Sequence, residues 1–235
     1  MKASAIIAAA GEGKRLGKRI PKAFVSLKGR PLLFHSLKTF STLPFVAEII
    51  LVLPEKWIAP TLRRWGPQLA RLKVVKIVPG GKRRQDSVWN GLRCAEAPLV
   101  LVHDAARPFV TGELILRVAR AAERYGAAIA GVRAKDTIKV VDAGGVIRST
   151  PDRAHLWHAQ TPQGFRRELL KRAYRKAGRR EATDEAQLVE RSGGRVRMAR
   201  KKSALTSAPD TLYRDIRSVL EAARHSAYRA VNAAM

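Results

Sequence analysis

Residues 5–22 read AIIAAAGEGKRLGKRIPK, and this stretch predicts the first strand and first ligand loop of an α/β fold. The apolar run around Ile6 and Ile7 has the length of a buried strand. The loop after it contains three glycines, which let the backbone approach a ligand closely, and the stretch carries five cationic side chains. Backbone N–H groups beside cations suit a polyphosphate. The alternative is an ordinary glycine-rich turn with a solvated basic face.

The loop does not match two common nucleotide-binding signatures. No Gly-Lys-Ser/Thr follows it, as a Walker A loop requires. Leu16 stands where a dinucleotide fingerprint requires glycine, and the second predicted strand ends in Leu53 and Pro54 without a well-placed acid for a ribose.

Apolar runs of strand length alternate with segments of helical period along most of the chain, which indicates a mostly parallel sheet covered on both faces. Further strands are predicted at 48–53, 73–78, 99–103, 127–132 and 195–199. Helices are predicted at 31–40, 55–71, 88–95, 113–125, 166–177, 184–191 and 209–234. We expect the 55–71 helix to be interrupted near Gly66 and Pro67, Asp86 and Ser87 to cap the 88–95 helix, and Thr183 to cap the 184–191 helix.

Residues 133–155 depart from this alternation. Residues 137–141 alternate loosely, 142–145 read DAGG, and 146–149 return as VIRS, which predicts a β-hairpin. The hairpin is too polar for the core, so we expect residues 133–155 to protrude as an arm from a single domain of residues 1–235.

The composition limits the classes of protein to which this chain can belong. The chain has 46 Lys and Arg against 19 Asp and Glu, a net charge of +27, which attracts any polyanion. No recognised nucleic-acid module accompanies this charge, so the sequence favours a solvated basic surface over a nucleic-acid partner. The sequence has no apolar run of membrane-span length, no room for a signal peptide, and a single cysteine, Cys94; together these predict a cytoplasmic protein without a membrane partner.

Two later stretches have the character of ligand sites. Residues 79–88, PGGKRRQDSV, form a second glycine loop that leads into a helix and suits an anion, although Asp86 and Ser87 would also serve as simple caps. Residues 102–108, VHDAARP, place an acid and an arginine just after a buried strand, where ligands bind in open α/β sheets. The alternative for Asp104 and Arg107 is a helix cap and a surface arginine. His103 is interpreted as a structural residue of the strand.

These stretches, with KDTIK at 135–139, QTPQ at 160–163 and TDEA at 183–186, resemble the 2-C-methyl-D-erythritol 4-phosphate cytidylyltransferases in the same order along the chain. The resemblance implies the Rossmann-like α/β fold of nucleotide-diphospho-sugar transferases, with a mostly parallel twisted sheet and a protruding hairpin arm. It also implies a homodimer that transfers CMP from CTP to 2-C-methyl-D-erythritol 4-phosphate and releases pyrophosphate in isoprenoid precursor biosynthesis.

The resemblance assigns roles to individual residues. Arg15 and Lys22 match the catalytic residues that hold the α-phosphate and its transition-state charge. The nucleotide-binding residues it implies are Ala9, Ala10, Gly11, Gly13, Gly80, Gly81, Arg84, Ser87, Asp104 and Ala105. The polyol-phosphate residues it implies are Asp104, Arg107, Thr137, Arg153 and Thr161, with Thr137 reaching into the neighbouring subunit.

The expected chemistry needs charge neutralisation more than proton transfer. A phosphate nucleophile is already anionic, which agrees with the lack of a Ser-His-Asp or Cys-His arrangement in the sequence. Few carboxylates are offered, so we expect Mg²⁺ held mainly by CTP phosphates and no protein-built metal site. The resemblance implies a lysine at the position where this chain has Ala204 or, with a shift of one residue, Leu205. Two alternatives stay open: another polyol phosphate such as ribitol 5-phosphate, and a non-catalytic protein that binds RNA through its charge.

Overall fold

The computed structural model describes residues 1–11, 20–178 and 180–199. Its strands are β1 (Ala3–Ala8), β2 (Ser26–Leu27), β3 (Arg30–Pro31), β4 (Val46–Leu53), β5 (Val74–Pro79), β6 (Leu99–Asp104), β7 (Ala127–Arg133), β8 (Val140–Val141), β9 (Ile147–Ser149), β10 (Trp157–Arg166) and β11 (Arg197–Ala199). Its α-helices are α1 (Leu32–Ser41), α2 (Glu55–Arg71), α3 (Arg84–Cys94), α4 (Gly112–Tyr125), α5 (Arg167–Ala177) and α6 (Glu185–Arg191). Gly13, Arg15, Ala204 and the helix predicted at 209–234 lie outside the described residues.

Seven of these strands form one mixed, mostly parallel sheet in the order β11-β7-β10-β6-β1-β4-β5. β1 lies inside this sheet, parallel to its neighbours β4 and β6, which confirms the predicted fold class. β10 is antiparallel to both of its neighbours, β6 and β7. The sequence did not predict β10, because its residues read WHAQTPQGFR and lack the apolar run expected of a buried strand.

The sheet is buried on both faces because the side chains of each strand alternate between two hydrophobic clusters. One cluster joins Ile7 and Leu51 to α1, α2 and α4, through Leu37, Leu69 and Ile115 among others. The other joins Ile6 and Val52 on the opposite face to α3, α5 and α6, through Leu92, Leu170 and Leu188 among others. This period of two fixes the register of each strand, since a slip of one residue would exchange the faces.

α2 corrects one expectation, because it runs from Glu55 to Arg71 without an interruption although Pro60 and Pro67 lie inside it. Proline removes a backbone hydrogen bond and clashes with the preceding turn, so the helix needs compensation. Aromatic packing offers that compensation. The ring of Phe24 stacks on Trp57 at a centroid distance of 4.9 Å and on Trp65 at 6.0 Å.

The predicted helix caps are also wrong in position. α3 begins at Arg84, so Asp86 lies in its first turn, where its carboxylate accepts a hydrogen bond from the Arg83 backbone at 3.1 Å. Ser87 lies further inside the same helix. α6 is capped by Asp184, whose side chain accepts from the Gln187 backbone at 2.9 Å, and not by Thr183. In both cases an acid close to the predicted position satisfies free N–H groups.

The predicted hairpin is present as the pair β8 and β9, which forms a sheet of its own. The Asp142 side chain accepts hydrogen bonds from Gly144 and Val146 and fixes the turn. Four apolar side chains of this arm, residues 133–155, are 45–58% exposed: Val140, Val141, Val146 and Ile147. Across the described residues, no helix is long and apolar enough to cross a membrane.

Candidate active site at the carboxyl ends of the parallel strands

The carboxyl ends of β6, β1, β4 and β5 meet at one edge of the sheet and bring the predicted loops together. Ala8 lies beside Asp104 on one side and beside Val52 on the other. The backbone N–H of Ala9 donates to Val52 O at 2.9 Å, and that of Ala105 donates to Ala8 O at 3.0 Å. Gly11 follows at an exposed position. This edge is where open α/β sheets bind their ligands.

The glycine loop after β5 packs directly against the loop after β1. An ideal Cβ built on Gly80 would lie 2.3 Å from the Cβ of Ala10, so only glycine fits there. At Gly81 the corresponding distance to the Asp86 Cβ is 2.4 Å. Ser87 fixes this loop, because its hydroxyl accepts from Gly81 N at 3.0 Å and donates to Arg83 O at 3.1 Å. Among the described residues, the structure therefore brings together the predicted nucleotide-binding residues of both loops.

An ionic cluster of Arg84, Asp104, Arg107 and Glu185 lies at the same edge. Nη1 of Arg84 donates to both carboxylate oxygens of Glu185, at 2.9 and 2.8 Å. Nε and Nη2 of Arg84 donate to Oδ1 of Asp104, at 3.2 and 3.1 Å. Nε of Arg107 donates to the other oxygen of Asp104 at 3.4 Å. Two arginines and two carboxylates thus share one set of hydrogen bonds.

Burial and charge set the ionisation of this cluster. Burial alone would raise the pKa of Asp104, but the Arg84 and Arg107 guanidiniums lower it below its usual range. Burial disfavours the charge of Arg84, but Glu185 and Asp104 outweigh it and raise the pKa of that guanidinium. Burial raises the pKa of Glu185, and Arg84 opposes that rise. Asp104 is consequently a carboxylate at neutral pH, held between two cations.

Glu185 was not singled out from the sequence, although it lies in the TDEA element. Its side chain is only 1% exposed, and the hydroxyl of Tyr174 donates to Oε1 at 3.2 Å. Gln163 holds the residues on either side of it, since Nε2 donates to Asp184 at 2.8 Å and Oε1 accepts from Ala186 N at 3.3 Å. The signal that could have found it is the pairing of TDEA with the QTPQ element, which contains Gln163.

Thr161 and His103 contact the backbone of Asp104 and Arg107 through hydrogen bonds. The Thr161 hydroxyl accepts from the Asp104 backbone N–H at 3.2 Å and lies 3.0 Å from Nδ1 of His103. Nε2 of His103 lies 3.2 Å from the carbonyl oxygen of Arg107. Burial lowers the pKa of His103 to about 4, so its ring is neutral at physiological pH. Thr161 thus lies beside the ionic cluster, together with a histidine that the sequence marked only as structural.

Lys22 begins a 3-10 turn, Lys22–Phe24, that leads from the first loop towards α1. The turn is closed by hydrogen bonds from Phe24 N to Pro21 O at 2.9 Å and from Val25 N to Lys22 O at 3.1 Å. Phe24 anchors the turn in the core through its aromatic stack on α2. Lys22 itself is half-buried, and Arg15, its predicted partner, lies outside the described residues.

The structure does not join Thr137 and Arg153 to the ionic cluster. Thr137 is exposed, and Nη1 of Arg153 donates within the arm, to Lys135 O at 2.9 Å. Among the described residues, neither side chain shares a hydrogen bond or an ion pair with Arg84, Asp104 or Arg107.

A family model described as 2-C-methyl-D-erythritol 4-phosphate cytidylyltransferase (IspD) matches residues 3–211 of this chain. The chain belongs to this family. The 2-C-methyl-D-erythritol 4-phosphate cytidylyltransferase of Caldanaerobacter subterraneus subsp. tengcongensis is 41% identical over 202 residues, which cover 84% of this chain and 89% of that relative. The protein of the same name from Syntrophus aciditrophicus is 42% identical over 196 residues, which cover 82% and 84%.

A solved structure extends the likeness to the fold. The crystal structure of the 2-C-methyl-D-erythritol 4-phosphate cytidylyltransferase from Thermus thermophilus matches with a TM-score of 0.72 and 35% sequence identity. The match covers 95% of this chain and 100% of that one. IspD family proteins are nucleotidyltransferases, so this chain is an enzyme of the transferase class.

The side chains that are available as metal ligands determine which kind of metal binding this IspD chain suits. In the part of the chain that the structure describes, no group of three or more His, Cys, Asp or Glu side chains is placed to hold a metal ion. The carboxylates of the ionic cluster are already engaged, Asp104 by two arginines and Glu185 by Arg84. These donors fit a Mg²⁺ ion held mainly by nucleotide phosphates and water.

The contact between the loops after β1 and β5 predicts the effect of Gly80→Ala. The added methyl group would clash with Ala10, so we expect the free energy of unfolding, measured in urea, to fall by about 1–3 kcal/mol. The double variant Gly80→Ala/Ala10→Gly should recover most of that loss. Gly66→Ala is the matched control, because a Cβ at Gly66 meets no atom within 4 Å. Equal effects of Gly80→Ala and Gly66→Ala would contradict the packing described here.

Proposed function

We propose that this chain transfers CMP from CTP to 2-C-methyl-D-erythritol 4-phosphate, giving CDP-methylerythritol and pyrophosphate in isoprenoid precursor biosynthesis. Membership of the IspD family supports this proposal, as do curated relatives of that name at 41–42% identity. The observation that carries it is the ionic cluster beside two facing glycine loops at the carboxyl ends of β1, β5 and β6.

In this proposal the nucleotide lies between the two loops. Main-chain N–H groups after Ala9 and at the start of α3 would face its phosphates, since helix N-termini and glycine loops favour anions. Gly80, Gly81 and Ser87 would contact the base. Their close packing against Ala10 and Asp86 supports a tight, fixed surface suited to a single-ring base.

The reaction would be an in-line displacement at the α-phosphorus. An oxygen of the polyol phosphate forms the new P–O bond, the bond to the bridging oxygen of the β-phosphate breaks, and pyrophosphate leaves. No base is required, since the nucleophile is ionised, and the protein contributes position and charge. Lys22 and Arg15 would neutralise charge on the α-phosphate, and Arg107 and Arg153 would hold the polyol phosphate.

Asp104 would orient the reactants. Its lowered pKa keeps the carboxylate ionised, so it can accept hydrogen bonds from hydroxyl groups of the polyol or ribose while it holds Arg84 and Arg107. When bound, Mg²⁺ would supply positive charge to the triphosphate and its leaving pyrophosphate. The carboxylates of the ionic cluster are engaged by arginines, which supports an ion held mainly by those phosphates and water.

A pyrophosphate-release assay tests the proposal. We expect release with CTP and 2-C-methyl-D-erythritol 4-phosphate together, and far less when ATP, GTP or UTP replaces CTP. Ribitol 5-phosphate serves as the second polyol. Faster release with ribitol 5-phosphate would replace the proposed substrate with that alternative. No release with either polyol, combined with an RNA shift that falls with salt and that CTP does not compete away, would support polyanion binding instead.

Lys22→Ala tests the proposed catalytic role of the lysine. Loss of a preorganised charge that is needed most in the transition state should lower kcat about 10²–10³-fold. The Michaelis constant for CTP should change much less. Lys56→Ala is the matched control, because it removes an exposed lysine from α2. Turnover in Lys22→Ala equal to that of Lys56→Ala would rule out this role.

We also propose a homodimer in which each arm serves the neighbouring site. Its support is that the arm exposes four apolar side chains and that Thr137 and Arg153 make no hydrogen bond or ion pair with the described ionic cluster of their own chain. Apolar groups on a protruding hairpin are typical of surfaces that pack against another protein surface.

A mixing experiment tests the exchange of arms. Lys22→Ala chains and Thr137→Ala/Arg153→Ala chains, each inactive alone, are allowed to exchange subunits. A mixed dimer would then have one site with both defects and one intact site. Equal mixing should restore about a quarter of wild-type activity per chain, since half the dimers are mixed. The exchange of subunits is first demonstrated with tagged chains. If activity then does not recover, each arm serves the site of its own subunit.

A further inference from the structure

We propose that His103 is a positioning residue, which sets the place of Arg107 through a chain of hydrogen bonds and so governs the binding of the polyol phosphate. This inference rests on the proposed function. Its observation is a fully buried imidazole whose two nitrogens lie between Thr161 and Arg107.

The directions of the hydrogen bonds follow from the donors available. The Asp104 backbone N–H can only donate, so the Thr161 oxygen accepts from it at 3.2 Å. The Thr161 hydroxyl hydrogen is then available for Nδ1 of His103 at 3.0 Å. A neutral ring that accepts at Nδ1 carries its proton on Nε2. That N–H donates to the Arg107 carbonyl oxygen, 3.2 Å away.

The chain of hydrogen bonds closes on the loop that carries Arg107. The Arg107 backbone N–H donates to Asp104 O at 3.0 Å, and its Nε donates to the Asp104 carboxylate at 3.4 Å. His103 therefore holds the carbonyl of Arg107, while Asp104 holds the N–H and the side chain. Ser36 contributes two longer contacts, since its Oγ donates to the same carbonyl oxygen at 3.4 Å and also lies 3.4 Å from Nε2 of His103. The Arg107 guanidinium is thus fixed by its backbone as well as by its ion pair.

Packing is the competing explanation for His103. Its ring lies against the ring of Phe40, a member of the hydrophobic core, at a centroid distance of 5.2 Å. A residue needed only for packing would be replaced best by phenylalanine, which fills the volume. A residue needed to position Arg107 would be replaced best by a side chain that keeps the donor at Nε2. The two explanations therefore predict opposite orders among three variants.

The variants are His103→Gln, His103→Asn and His103→Phe. The glutamine amide N–H can take the place of Nε2 and donate to Arg107 O, whereas the shorter asparagine amide reaches only the side of Nδ1 and Thr161. We expect His103→Gln to keep a Michaelis constant for 2-C-methyl-D-erythritol 4-phosphate near that of wild type. His103→Asn and His103→Phe should raise it about tenfold, the usual effect of one lost buried hydrogen bond. The Michaelis constant for CTP should change by no more than about threefold.

Stability is measured on the same proteins by urea unfolding. We expect His103→Phe to be at least as stable as His103→Gln, so that the order of stability differs from the order of polyol binding. If the Michaelis constants instead follow stability, with phenylalanine the best replacement, the positioning role is wrong.

The Arg107→Ala protein is the decisive background in which to measure the effect of His103→Phe. If His103 acts through Arg107, His103→Phe should raise the polyol constant no further in the Arg107→Ala protein. Equal fold-changes in both backgrounds would overturn the inference.

A separate measurement distinguishes failure of this inference from failure of the proposed function. ¹⁵N NMR of the wild-type imidazole should show the proton of His103 on Nε2, and this signal requires no turnover. A proton on Nδ1 would overturn the proposed chain of hydrogen bonds even in an active enzyme. If the proton is on Nε2 but the polyol phosphate does not react with CTP, the proposed function fails while the described geometry stands.

Discussion

The hydrogen bonds and ion pairs of the Arg84 guanidinium hold the candidate site together. It joins α3 to β6 through Asp104 and to α6 through Glu185. Glu185 is buried, and a buried carboxylate is costly unless a cation and further donors engage it. Arg84 supplies the cation and Tyr174 a further donor. Loss of Arg84 would leave an uncompensated acid beneath the site, so α6 and the strand end that carries Asp104 depend on the same residue.

The charges of this cluster constrain the mechanism. Arg84 and Arg107 are already paired with Asp104, and Arg84 is also paired with Glu185, before any substrate binds. In the proposed function, a triphosphate and a second phosphate would bring several negative charges to this edge. Those charges would have to be met by cations outside the cluster, and the proposal assigns this role to the cation-rich stretch at 14–22 and to Arg153 of the arm. Arg84 is then chiefly a residue that orients Asp104, with most of its donors already used.

The sequence predicted well those features that depend on local pattern. The apolar run at Ile6 and Ile7 predicted β1, and the spacing of Asp104 and Arg107 placed both at the end of a strand, where the structure has them. β10 was missed because its burial comes from β6 and β7, which lie far from it in sequence. The sequence predicted a break in α2 near Pro67, because a rule based on neighbouring residues cannot detect that Phe24 stacks on Trp57 and Trp65.

The same distinction separates the site residues. Gly80 was found because a glycine loop before a helix is a local signal, yet its reason is long-range: the Cβ of Ala10, on the loop after β1, occupies the space that a side chain would need. Glu185 and His103 carry no local signal, since an acid in a helix and a histidine in a strand are usually structural. Their importance arises from what the fold places beside them, Arg84 in one case and the Arg107 carbonyl in the other. In this chain the motifs mark loops and strand ends, whereas the contacts that hold those loops and strand ends in place are visible only in the tertiary structure.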